Sequence, residues 1–499
     1  MDRGLYVAEV ETQPAGRSSG SDNKDVKGVA DGDLRQRRGS FDDAQSDRYR
    51  RSSLEDIQAD QALEALGYKP ELSRRRSTLQ VAFMSFVLAS IPYGLATTLY
   101  YPLIGGGPVN IIWGWLAVSL IIALSFGTTL FFVACINVFE KEPGVGVFEA
   151  STYQVFLIFL AVTVFQNLVA ALGNKWLPIL DTVAIFWTFA GVIAILVCVL
   201  VIAKNGRHSA AYVFGHFESN SGWPAGWSFF VGLLHAAYAT SSTGMIISMC
   251  EEVHKPATQV PKAMVATIFI NAFGGLLFLV PLVFVLPDIQ VLVSLASGQP
   301  VPTIIKDAVG SAQGAIGLLI PIMVLALICG ISCTTAASRC TWAFARDGAI
   351  PGARWWKKVH TGLDLPLNAM MLSMVVQILL GLIYFGSPAA FNAFSGVGVI
   401  CLTASYAAPI AISLANGRKH LADAKFNLGR FGVPCNVIAL AWSILAMPLF
   451  CMPSFIPVTA ATVNYAPVVF VGATLISALW YIVWGHKNYA GPPTHDPVY

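Results

Sequence analysis

Charge is what this chain has least of. Of its 499 residues, 31 are Lys or Arg and 28 are Asp or Glu, 12% in all. Soluble globular domains carry about 25%. Nine cysteines are too few for a disulfide-dense secreted scaffold, and no CxxC or Cys/His spacing marks a metal site. A net charge of +3 leaves no electrostatic footprint for nucleic acid. The patterns HExxH, GxSxG and the P-loop are missing, which argues against a membrane-embedded enzyme. The first 30 residues contain no apolar core of a secretory signal.

The charge that exists is gathered at one end. Residues 1–76 hold 14 Lys/Arg and 15 Asp/Glu, which leaves about 7% charge for the other 423 residues. The segment is rich in Ser, Asp, Arg and Gly, and is expected to be a disordered cytoplasmic tail. Basic residues precede Ser40, Ser52 and Ser77, a pattern that suits kinase sites, with a solvated charge run as the alternative. Even with this tail the whole chain is 55% apolar, with mean hydropathy +0.64. Runs long enough to cross a bilayer fall near 79–103, 109–138, 152–172, 178–203, 227–249, 262–286, 314–337, 367–385, 390–415, 433–452 and 463–484. Lipid offers backbone groups no partner, so at this density the runs are expected to be helices.

Eleven runs conflict with the charges between them. Segment 338–366 carries five Lys/Arg and 416–430 carries four, while the other long loops carry two or fewer. Positive loops face the cytoplasm. Both segments then share a side with the basic tail, and an even number of crossings must precede Arg339; seven are counted. The run 109–138 is the irregular one. Its 30 residues make a helix about 45 Å long, against a hydrocarbon core of about 30 Å. That is too long for one ordinary span and too short for two.

Two runs are interrupted in their middles. The first contains Ser90-Ile91-Pro92-Tyr93-Gly94, and the fifth contains Thr240-Ser241-Ser242-Thr243-Gly244. Pro removes a backbone donor, Gly loosens the helix, and hydroxyls re-satisfy freed backbone groups. A proline kink and packing by small residues are the plainer readings. Interrupted spans in matching halves point instead to a transporter built of inverted repeats, where half-helix N-termini meet anionic groups and free carbonyls meet cations.

Several stretches resemble one family. GGGPVNIIWGW (105–115), CEEVHKPATQVPKAM (250–264), ASRCTWAFARDGAIP (337–351) and SGVGVICLTASYAAPIAI (395–412) are similar to motifs of the amino acid–polyamine–organocation superfamily, in its fungal branch of amino acid, gamma-aminobutyrate and choline permeases. The resemblance implies an all-α, leucine-transporter-type fold: five spans repeated in inverted topology, then two extra helices. The first repeat would occupy about 77–203, the second about 227–415, and the extra helices 433–484, with a short tail at 486–499. It also implies twelve spans, with 227–249 as the sixth. The end of the second span, a loop and the first half of the third look absent near 122–125, where the charge parity also failed. The chain is therefore read as a deletion form with impaired transport.

The resemblance places the substrate at the two breaks: Ser90, Pro92, Tyr93 and Gly94, then Thr240, Ser241, Ser242, Thr243 and Gly244. Tyr238 lies about a turn before the second break, where its ring suits an amine or quaternary ammonium. Glu251 and Glu252 stand where the sixth span meets the cytosol, with Arg339 and Arg346 as expected partners in a cytoplasmic gate. Asp181, near the start of its span, reads as a capping or snorkelling residue. The expected activity is secondary active transport of a small amine-containing solute, amino acid, gamma-aminobutyrate or choline, by alternating access coupled to protons. The expected setting is a lipid bilayer, the plasma membrane, with no cofactor and no nucleic acid. The alternative is a nutrient sensor that signals through its tail.

Overall fold

The structure is a computed structural model. It describes residues 76–89, 124–142, 145–203, 206–234, 236–237, 241–295, 298–386, 388–421, 427–459 and 463–486, with single residues and short stretches between 57 and 74. Most of these are helical, and among them is a small antiparallel hairpin, Glu140–Glu142 with Val145–Gly146. Ten helices carry the architecture: α1 (Thr78–Ala89), α2 (Leu124–Ile136), α3 (Thr152–Leu172), α4 (Leu177–Ile202), α5 (Pro256–Phe284), α6 (Ala312–Arg346), α7 (Leu367–Gly381), α8 (Pro388–Ala415), α9 (Gly432–Leu449) and α10 (Ala466–Trp480). Eight helical segments among the described residues, those of α3 to α10, are long and apolar enough to cross a membrane. The all-α membrane architecture read from the apolar runs is present. The runs 79–103 and 109–138 are seen only in part, as α1 and α2, and the join at 122–125 lies outside the described residues except at its last two positions.

Local chemistry sets the helix ends. Gln154 accepts a hydrogen bond from the Ser151 backbone N–H at 2.9 Å and closes the first turn of α3. Pro178 and Pro256 sit in the first turns of α4 and α5, where no backbone donor is missed. Ser311 caps α6 through the Gly314 N–H. At 35 residues, α6 is about 52 Å long, well beyond the bilayer's hydrocarbon core of about 30 Å. Its final turns therefore project past the apolar slab.

Helix α6 is the axis of the bundle, packed against α1, α2, α3, α4 and α7. Helix α1 lies against α5, α4 and α6, while α8 gathers α9 and α10. Close approaches depend on missing side chains. A Cβ at Gly191 of α4 would sit 2.5 Å from the Pro321 Cβ of α6, and one at Gly381 of α7 would run into the Phe159 ring of α3. The outer surface is apolar: Phe186, Val201, Phe269 and Ile476 are each about two-thirds exposed or more. That surface suits lipid rather than water.

The run 227–249 differs from its expectation. It is not one α-helix. A short helix, Ala225–Val231, is followed by a turn at 232–233 and helical residues at 234 and 236–237, and the stretch Ser241–Glu252 is 3-10. Such stretches seldom exceed three or four residues, and long ones mark hinges or strain. Four hydroxyl residues in a row, followed by glycine, favour departure from α geometry here.

Candidate functional site

A charged cluster lies at one end of the bundle, inside it. Arg76 precedes α1 by two residues. Asp181 stands in the first turns of α4, Glu252 ends the 3-10 stretch, and Arg339 lies two turns before the end of α6. The four side chains meet. Arg76 Nη1 reaches Asp181 Oδ2 at 3.0 Å, and its Nε reaches Glu252 Oε2 at 3.3 Å. Arg339 Nε holds the other oxygen, Glu252 Oε1, at 2.8 Å.

Burial makes this arrangement costly unless it is complete. Arg76 and Asp181 are 1% exposed, Arg339 2% and Glu252 8%. Removing a carboxylate or guanidinium from water costs several kcal/mol per ion. Two cations and two anions cancel formally, and neutral donors and acceptors complete the set. The Ser332 hydroxyl donates to Asp181 Oδ1 at 3.0 Å. Arg339 donates to Ser338 Oγ and to Asn174 Oδ1, each at 3.0 Å. Asn174 in turn donates to the carbonyls of Leu363 and Asp364. One connected network thus spans α1, α4, α6, the 3-10 stretch and the loop before α7.

The backbone reinforces it. Residue 76 forms a parallel bridge with Val253: Arg76 N–H donates to Glu252 O at 3.0 Å, and His254 N–H donates to Arg76 O at 3.1 Å. Arg74 adds a bond to the Val253 carbonyl and an ion pair to Asp60 at 2.7 Å. At the rim, Arg346 pairs with Glu251 at 2.6 Å and lies 4.5 Å from the Trp342 ring centroid. These two side chains are about one-fifth exposed.

The expected pairing of Glu251 and Glu252 with Arg339 and Arg346 is therefore present, sorted as Glu252 with Arg339 and Glu251 with Arg346. Arg76 and Asp181 belong to the same network and were not expected there. Asp181 is neither a cap nor snorkelling; it is a buried ion-pair partner. Its signal was available, because an ionisable residue within a membrane run needs a partner, and three arginines at 74–76 offered one. Of the expected substrate residues, Ser90, Pro92, Tyr93, Gly94, Tyr238 and Thr240 lie outside the described residues. Ser241, Ser242, Thr243 and Gly244 open the 3-10 stretch. On α5, buried Asn271 has no hydrogen-bond partner on either side-chain atom.

Comparison with known proteins gives a family match and several relatives. The family model described as amino acid permease matches residues 77–473. An uncharacterized amino-acid permease of Schizosaccharomyces pombe is 29% identical over 487 aligned positions, covering 87% of this chain and 89% of that protein. A polyamine transporter of Saccharomyces cerevisiae is 30% identical over 68% of this chain and 57% of its own length. A choline transporter of the same yeast is 26% identical over 486 positions, covering 87% of this chain and 86% of its own.

Proposed function

The chain belongs to the amino acid permease family, so it is a multi-pass membrane transporter of small organic solutes and not an enzyme; from that premise we propose that it carries a small amine-bearing solute, an amino acid, gamma-aminobutyrate or choline, by proton-coupled alternating access. The observation that carries the mechanism is the buried network of Arg76, Asp181, Glu252 and Arg339. It ties the roots of two interrupted spans to α4 and α6. Alternating access needs a closure that forms on one side and dissolves on the other, and water admitted to this end would solvate all four ions as it parts them.

In this reading 77–203 and 227–415 are the two inverted repeats and the network is the cytoplasmic gate, with residues 1–76 on the same side in the plasma membrane. The basic segments 338–366 and 416–430 support that orientation. Substrate binds at the breaks, where Ser90, Pro92, Tyr93, Gly94 and Thr240 to Gly244 free backbone groups for its charged ends and Tyr238 offers a ring to its amine. The 3-10 geometry at Ser241–Glu252 supports an interruption there.

The alignment lengths agree in size with a missing stretch made of the end of the second span, a loop and the first half of the third. For the fission-yeast relative, 87% of 499 residues is about 434. Of 487 aligned positions, about 50 then hold a residue of the relative and none of this chain. The choline transporter gives nearly the same figure. About 50 residues is the length of one and a half spans with a loop.

Uptake settles the reading. This chain, and a version carrying about 50 relative-derived residues at the 122–125 join, are expressed in yeast lacking its own permeases. Both are offered labelled amino acids, gamma-aminobutyrate, choline and, because one relative is a polyamine transporter, spermidine. The restored chain is expected to accumulate one of the first three, more strongly at acid external pH, and the shorter chain little or none. Equal uptake by both refutes the deletion reading. No uptake of any of the first three by the restored chain refutes the substrate assignment.

A further inference from the structure

Between the last turns of α6 and the middle of α7 lies a groove of about 650 Å³, apart from the charged network. Its size falls within the range of small-molecule sites, about 300–1,000 Å³. Phe344 and Val376 form exposed apolar walls, 57% and 45% accessible. Trp356 and Pro351 form the mouth, and Thr341, Ser373 and Gln377 give it a sparse polar floor. Thr341 and Ser373 satisfy each other at 3.0 Å, while the Gln377 carbonyl oxygen is buried with no hydrogen-bond partner. Gln377 lies ten residues into α7 from Leu367, about 15 Å along the axis, half of a hydrocarbon core of about 30 Å. The groove therefore spans one leaflet.

The loop that carries Trp356 is basic: Arg354, Lys357 and Lys358 lie between Asp347, which is paired with Arg346 at 3.9 Å, and Asp364 at the far end of the loop. All three cations are exposed, and none makes an ion pair with another described residue. Their segment is held in place: Asn368 donates to the Trp355 carbonyl at 2.8 Å, the Trp342 indole to the Lys357 carbonyl at 3.1 Å, and the Trp480 indole to the Ala349 carbonyl at 3.1 Å. Trp355 itself is 68% exposed, the placement of an interfacial aromatic.

We propose that this groove binds one anionic glycerophospholipid of the cytoplasmic leaflet, its headgroup on Arg354, Lys357 and Lys358 and an acyl chain along Phe344 and Val376. Anionic headgroups concentrate in that leaflet. A sterol fits the apolar walls but offers no anion to the three exposed cations. Each basic side chain near an anionic surface contributes about a fivefold gain in binding, so removing three weakens it on the order of a hundredfold.

The test uses the full chain purified in neutral detergent, with phosphatidylserine, phosphatidylcholine or ergosterol added and thermal stability measured. Phosphatidylserine alone is expected to raise the midpoint by several degrees. The rise is expected to vanish in R354Q/K357Q/K358Q, and in Ser373→Leu, which fills the groove. Phosphatidylserine is likewise expected to remain bound in native mass spectra of the parent and to be lost from both variants. Should the triple variant fail to fold, the parent's rise is read against salt, which is expected to abolish it. Equal rises with phosphatidylserine and phosphatidylcholine overturn the proposal. So does a rise that survives the triple substitution or high salt, or one that only the sterol produces.

Discussion

Replacing Arg76 with Gln isolates the energetics of the buried network. Arg76 serves two carboxylates, Asp181 at 3.0 Å and Glu252 at 3.3 Å. Without it Glu252 keeps Arg339, but Asp181 keeps only the Ser332 hydroxyl. An uncompensated buried charge of this kind costs about 3–5 kcal/mol. That cost falls on the closed arrangement alone, because water would reach the carboxylate once this end opened. The closed state should thus lose on the order of a hundred- to a few thousandfold in relative population. Hydrogen exchange reads this directly, since the Arg76 and His254 amides are bonded across the same closure. Their protection is expected to fall by that factor in R76Q. In R76Q/D181N the buried charge is gone, and the double variant should recover at least tenfold of the protection lost by R76Q. A loss under tenfold in R76Q, or costs in the double variant that simply add, would refute the account of a charge-compensated lock.

Other substitutions test neighbouring parts of the argument. Arg346→Ala removes a rim pair about one-fifth exposed together with its contact to Trp342; exchange protection at residue 76 should change by about fivefold at most, about 1 kcal/mol. Gly381→Leu drives a side chain into the Phe159 ring, an overpacking cost of about 1–3 kcal/mol that should lower the thermal midpoint in detergent and be partly recovered by adding Phe159→Ala.

Much of the architecture was legible because lipid is an unforgiving solvent. Once a run of about 20 apolar residues is found, helix is the remaining option, and α3 to α10 follow the expected runs closely. The pairing of Glu251 and Glu252 with Arg339 and Arg346 was legible too, since charges at span ends are few. Asp181 was misread because hydropathy treats each charge as a solitary penalty. Its partner Arg76 lies 105 residues away in a segment that composition assigns to the solvated tail. Departure from α geometry at 241–244 was legible as hydroxyls and glycine, but the persistence of 3-10 geometry as far as Glu252 was not. Met245 to Met249 contain nothing that forbids an α-helix, so the cause is the neighbourhood and not local propensity.

That stretch holds a reserve of length. Twelve residues at about 2.0 Å of rise extend about 24 Å, and the same twelve wound as an α-helix extend about 18 Å. The difference of about 6 Å exceeds the 2.8 and 3.3 Å that join Glu252 to Arg339 and Arg76. Rewinding this segment would therefore shorten it by more than either distance that joins Glu252 to its arginines, and would pull on the backbone bridge between Arg76 and Val253 at the same time.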